Sequence, residues 1–263
     1  MLFPWDYYRS SEINLGNANL GMSLTYPFGT DHLGRDTLVR LSQSVQENIP
    51  ILWLVVSVAV FLGWLLGSIG IIFSERFLAN GRKFPLDLIL AAIAGAPLFL
   101  LVFVFSIGFD VMGLVPISVS LFLIFLLSSY LQVRNLYGES KELAYWRSQL
   151  SIGGEAGPRI IQYGILGAWS QPMLSFWMHA LSLSVIAEVS LSYLGFGIQE
   201  PSASLGNILA AHFSDYLHGD FRVLLVTVVA MLITIGTPSC FKSLFKIFRT
   251  RVDKQELKYS SLN

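Results

Sequence analysis

Five stretches of this chain are almost uninterruptedly apolar for about 20 residues, the length a helix needs to cross a hydrocarbon core of about 30 Å. They run from Ile49 to Phe73, Pro85 to Gly108, Val111 to Tyr130, Met173 to Leu194 and Phe221 to Cys240. Pro50 falls in the opening turn of the first, where a missing backbone donor costs little. Asp87 sits at the entry of the second and Pro97 inside it. Only Phe109 and Asp110 separate the second stretch from the third, which predicts a tight antiparallel pair. Because the runs are continuous and do not alternate, helices are expected and not a barrel, so the predicted class is an all-α polytopic membrane protein.

Composition agrees. Of 263 residues 54% are hydrophobic and 13% charged, against roughly 25% charged in a soluble domain. A net charge of zero gives no general reason to bind nucleic acid. The distribution of charge says more. Thirteen of the Lys and Arg residues fall in three segments, 74 to 84, 131 to 172 and 242 to 263, whereas four (Arg9, Arg35, Arg40, Arg222) fall elsewhere. Basic loops stay in the cytoplasm, so these segments are expected inside, including a 131–172 loop and a 242–263 tail. The first 48 residues and the 195–220 loop are then outside, flanking a membrane domain over 49–241. An outside segment of that length needs something to carry it across, so a preceding helix in a longer chain or on another chain is expected. The alternative is that this segment folds back as an amphipathic piece. Cys240 is the single cysteine, which leaves neither an internal disulfide nor a cysteine metal cluster.

Two segments on the expected outer side carry turn-forming and ionisable residues. In PFGTDHLGRDTLVRL, Gly29 and Gly34 permit turns, Asp31 and Asp36 can bond the backbone that follows them, and Arg35 can clamp a carboxylate. A plain loop with Asp36 as helix N-cap and a functional surface are both open readings. In LSYLGFGIQEPSASLGNIL, Gly195, Gly197 and Pro201 end the fourth span. Glu188 lies about two turns before that exit, and an ionisable group at this depth is either functional or bonded to a neighbouring helix. His179, half a turn out of phase, is read as interior packing.

These segments are similar to the second permease subunit of the dipeptide, oligopeptide and nickel ATP-binding-cassette importers. That family carries GTDxLGRDxxSRL, matched here by Gly29, Thr30, Asp31, Leu33, Gly34, Arg35, Asp36, Arg40 and Leu41, with Val39 in place of Ser. It also carries a segment like LSFLGLGVQPPTPSWGNML, onto which Leu191, Ser192, Leu194, Gly195, Gly197, Gln199, Pro201, Ser204, Gly206 and Asn207 fall, and Glu188 coincides with a family Glu. The resemblance covers about Pro27 to Arg251 and includes Pro97. It implies the type I importer permease fold with six spans, and contact with an external substrate-binding protein through Gly29, Thr30, Asp31, Gly34, Arg35, Asp36, Gly195, Gly197, Gln199, Pro201, Gly206 and Asn207. It also implies a bacterial inner-membrane location, a homologous permease partner, and two ATPase subunits that bind ATP and Mg, leaving no cofactor in this chain.

The 131–172 loop would dock the ATPases. Aligned with the family pattern EYVEAARALG, Tyr145 and Gly153 match, as do Arg159 and Ile160, while Trp146 precedes Arg147, Ser148 and Gln149 in place of Glu-Ala-Ala. Arg147 therefore reverses a family charge in the coupling region. The family's ILPN also becomes Ile165 to Ala168, without its Pro. Two functions follow as alternatives: a peptide-importer permease, with nickel or another small solute as alternative cargo, or a non-transporting scaffold that kept the outer surface and lost coupling. No GxxxxGK[ST], HExxH or GxSxG sequence occurs, which argues against an enzyme. His212 and His218 stand about 240° apart on a helix, so a solvated loop is read there and no metal site. The topology predicts that protease added on the cytoplasmic side cleaves near Arg251 to Lys258; cleavage there only from outside would invert it.

Overall fold

A computed structural model of the chain describes residues 13–77, 102–104, 108, 113–141 and 169–260. Its regular elements are helices: α1 (Thr37–Phe77), α2 (Leu114–Ser140), α3 (Ser170–Tyr193), the short α4 (Leu205–Ala211) and α5 (Phe213–Leu217), and α6 (Arg222–Ser260). Among the described residues, four helical stretches are long and apolar enough to span a membrane: Thr37–Phe73, Leu114–Ser140, Ser170–Tyr193 and Arg222–Cys240. The chain is an all-α, multi-pass membrane protein. The expected span over 85–108 lies outside the described residues apart from Val102, Phe103, Val104 and Gly108, of which 102–104 are helical.

The helices overrun the apolar runs that announce them. α1 begins at Thr37, twelve residues before the first apolar run, so Pro50 lies inside it and not in its opening turn. Thr37 to Asn48 is amphipathic: Leu41, Ser44 and Asn48 are buried at helical spacing while Gln46 and Glu47 face outward. α2 continues to Ser140, ten residues into the expected inner loop, and α6 continues through the expected tail to Ser260.

Side-chain pairings fix the helix directions. Gly63 meets Leu126 and Ser129, and Gly67 meets Tyr130 and Val133, so α1 and α2 run parallel. α2 therefore begins at the end of the bundle at which α1 began. α3 runs opposite to α1, with Trp177 donating to Ser57 Oγ at 2.9 Å while Val185 and Val189 share a core with Leu41 and Ile49. α6 runs opposite to α3, with Ser182 donating to the Ile235 carbonyl at 2.8 Å. At one end of the bundle Trp169 Nε1 donates to Ser140 Oγ at 2.8 Å, tying α2 to the start of α3. The two turn-rich segments meet at the other end.

Contact between α1 and α2 depends on missing side chains. A Cβ on Gly63 would lie 2.2 Å from the Leu126 carbonyl oxygen. With Gly67 one turn on, the spacing is the small-xxx-small pattern that lets membrane helices approach closely, and Ser129 Oγ crosses the seam to the Val60 carbonyl at 2.7 Å. Gly63→Ala should therefore force the helices apart and cost about 1–3 kcal/mol, seen as a lower thermal midpoint in detergent. Gly236→Ala, where nothing lies within 4 Å of the added Cβ, should leave that midpoint close to wild type.

Candidate functional site

The segment before α1 folds around Asp31. Its Oδ1 accepts the backbone N–H groups of Leu33 at 3.0 Å and Arg35 at 2.9 Å, and its Oδ2 accepts Arg35 Nε at 2.7 Å. Gly34 takes φ +76°, and a Cβ there would sit 1.8 Å from the Asn14 carbonyl oxygen, so both conformation and space require glycine. Asp36 caps α1, its Oδ1 accepting from Leu38 N at 2.9 Å and Val39 N at 3.4 Å. Thr30 Oγ1 donates to the Asn17 carbonyl and accepts from Leu20 N, binding the preceding strand of chain to the loop.

The second segment, between α3 and α4, is held from three directions. Glu188 Oε1 accepts from Ser192 Oγ at 2.9 Å and Ser204 Oγ at 2.7 Å. Both hydroxyls also accept, from Ile198 N at 3.0 Å and Gly206 N at 3.0 Å. Asn207 donates to the carbonyls of Ile198 and Ser202 and accepts from Ser204 N. A Cβ on Gly206 would lie 2.2 Å from the Val189 carbonyl oxygen, so α4 rests directly on the backbone of α3.

The two segments, 165 residues apart in sequence, meet at Arg35. Its Nη2 donates to Glu200 Oε1 at 2.6 Å while its Nε holds Asp31. Arg35 thus bridges two carboxylates, and does not clamp one with both arms. Arg40 stands behind it, with Nε 3.8 Å from Asp31 Oδ2 and Nη2 3.7 Å from Glu200 Oε1. A second tie runs from Asn48 Nδ2 on α1 to the Ala203 carbonyl at 2.8 Å. Two arginines and two carboxylates balance within one cluster, which is the condition for placing charge in a protein interior.

This geometry changes the expectation drawn for the motif residues. Gly29, Thr30, Asp31, Gly34, Arg35, Asp36, Gly197, Gly206 and Asn207 are buried in this chain, so they build the end of the bundle and do not offer their own side chains to a partner. Gly195, Gln199 and Pro201 are exposed, as is part of Glu200, whose side chain is 35% accessible. Glu188 is 1% exposed and bonded within the chain, which favours the bonded reading. His179, read as interior packing, is exposed on α3. His212, read as solvated, is buried with Nδ1 2.7 Å from Asp215 Oδ2. Tyr145, Trp146, Arg147, Ser148, Gln149, Gly153, Arg159 and Ile160 lie outside the described residues.

Sequence reasoning missed Glu200 and Asn48. Glu200 stands where the family pattern has Pro, and that departure was the available signal. Nearby, the side-chain hydrogen bond from Arg222 holds the Asp220 carboxyl down at about 2, while burial, then Asp215, pushes Tyr216 up to about 12.

No protein-family model matches the chain. Among curated proteins, one named as a peptide transport system permease protein of Brucella suis is 30% identical over 216 residues, covering 80% of this chain and 68% of the relative. Another Brucella suis protein, named as a peptide permease, is 25% identical over 207 residues, covering 79% and 66%. The glutathione transport system permease of Shigella dysenteriae is 25% identical over 229 residues, covering 87% and 73%. The chain thus spans about two thirds of the length of the two Brucella suis relatives.

The Glu188 arrangement predicts an asymmetric pair of variants. Glu188→Gln keeps an acceptor for both serines and should stay near wild-type stability. Glu188→Leu strands two buried hydroxyls and should lose about 1–3 kcal/mol for each, measured as thermal unfolding in detergent. Equal losses would contradict the arrangement.

Proposed function

The chain belongs to the peptide-transport permease subunits of ATP-binding-cassette importers, and from that premise we propose that it forms half of a peptide path across the bacterial inner membrane. The observation that carries this reading is the Arg35–Glu200 bridge, because it ties together the two segments that bear the family resemblance. In this reading the motif end faces outward and meets a substrate-binding protein through Gly195, Gln199 and Pro201, with the buried residues behind them holding that surface in shape. The opposite end, with the basic loops, faces the cytoplasm. A homologous permease completes the path, and ATP hydrolysis takes place on two separate ATPase subunits. Their closure draws the inner helices of the two permeases together and tilts the spans to open outward. Peptides or peptide-like solutes such as glutathione are the proposed cargo.

Arg147, Ser148 and Gln149, in place of Glu-Ala-Ala, favour one second reading, a scaffold that assembles with the complex without being driven by it. Reconstitution separates the two. The full complex in proteoliposomes should take up labelled di- and tripeptides only with binding protein and ATP. Restoring Glu-Ala-Ala at 147–149 should leave that uptake at or above its original level. Co-assembly with the ATPases but no uptake until the restoration is made would establish the scaffold reading for the natural chain.

A further inference from the structure

The exposed face of α3 differs in chemistry from the exposed faces of the other spans. Outward positions on α1 from Ile51 to Phe73, on α2 from Val115 to Leu123 and on α6 from Leu225 to Ile233 are all aliphatic or aromatic, as a lipid-facing surface requires. On α3 the exposed residues are His179, Ile186 and Tyr193, and half-buried Ser175, Leu183 and Ser190 fall in line with them. They recur every three or four residues and so form one stripe along the helix. The opposite face holds Met173, Val185 and Glu188 in the bundle core. His179 stands nine residues from the start of α3, about 14 Å along its axis and near the middle of the helix.

Several serines elsewhere in the spans return their hydroxyls to the backbone, although the buried Ser118 on α2 finds no partner. Ser57 donates to Trp53, Ser68 to Trp64, Ser120 to Pro116 and Ser184 to Leu181. Among the described residues no side-chain hydrogen bond reaches Ser175, His179 or Ser190. An imidazole with free donor and acceptor nitrogens at mid-membrane belongs against water or protein, not lipid. The close seam between α1 and α2 is made by Gly63 and Gly67, whereas this stripe alternates hydroxyl and imidazole groups with Leu, Ile and Tyr.

We propose that the open stripe of α3 is the wall this chain contributes to the aqueous solute path, with Ser175, His179 and Ser190 hydrogen-bonding the main-chain amides of a passing peptide. The inference rests on the permease reading and adds the residues and the chemistry of its passage. Hydroxyl and imidazole groups both donate and accept, so they serve peptide N–H and C=O groups whatever the side chains. Leu183 and Ile186 between them add surface without directional bonds, and no fixed charge on the stripe selects acidic over basic peptides.

The single native cysteine makes the test direct. In a Cys240→Ser background, Ser175→Cys, His179→Cys, Ile186→Cys and Ser190→Cys are assembled with the other subunits in membrane vesicles and exposed to a charged, membrane-impermeant thiol reagent. Val58→Cys and Val229→Cys serve as lipid-facing controls. Stripe positions should react at least about tenfold faster than the controls, since the reactive thiolate forms in water and not in lipid, and a transported peptide should slow them. In parallel, His179→Leu should lower uptake severalfold with assembly unchanged, and His179→Asn, which keeps a donor and an acceptor, should lower it less. Stripe thiols no faster than the controls, reaction that peptide does not slow, or equal uptake by both His179 variants would overturn the proposal while uptake by the unsubstituted complex persists. A complex that takes up no peptide at all overturns the permease reading beneath it.

Discussion

A guanidinium withdrawn from water must find carboxylates, and Arg35 finds one on each side of a sequence gap of 165 residues. Asp31 fixes its Nε within the local loop, and Glu200 takes its Nη2 from across the bundle. Losing either partner leaves charge stranded at a side chain that is 1% exposed. The start of α1 and the loop between α3 and α4 are thereby held in one relative position. The other polar bonds of this end extend the same tie: Asn48 to the Ala203 carbonyl, and Glu188 through Ser204 to the start of α4. A rigid end is what a subunit needs if a partner is to dock on it and a change in helix tilt is to be transmitted through it.

α3 has two faces of different chemistry. One face carries Glu188 and the aliphatic positions that lock it to α1, α4 and α6. The other is open and polar, with His179 at its middle. Spans that face lipid have no use for such a stripe, and the outward faces of α1, α2 and α6 carry none between their apolar limits. The division between polar-open and apolar-open faces follows from solvation alone, because a membrane helix keeps polar side chains only where water or protein meets them.

Much of the architecture was legible in the sequence because lipid imposes a length and a polarity that no other solvent does. Four of the five apolar runs fall on span-length helices, and Asp36 was readable as a cap from its place before an apolar periodicity. The boundaries were less legible. Thr37 to Asn48 continues α1 because Thr37, Arg40, Ser44 and Asn48 face a protein interior that hydropathy cannot see. Gly29 and Gly34 were legible as turn positions, and both take positive φ, but their neighbours were placed on the surface. Burial of Arg35 and Asp31 depends on Glu200, a partner supplied by the fold and invisible to local spacing. His179 erred in the other direction, since a lone histidine in an apolar run carries no mark of which face it occupies.

The account rests on the bridge between the two segments, and a double-mutant cycle at Arg35 and Glu200 tests it most directly. Arg35→Met, Glu200→Gln and the pair are compared by unfolding of the purified protein in detergent. The account predicts that the double variant is less destabilised than the sum of the singles by about 1 kcal/mol or more. Strictly additive losses would mean that the two side chains act independently and that no such brace joins the segments.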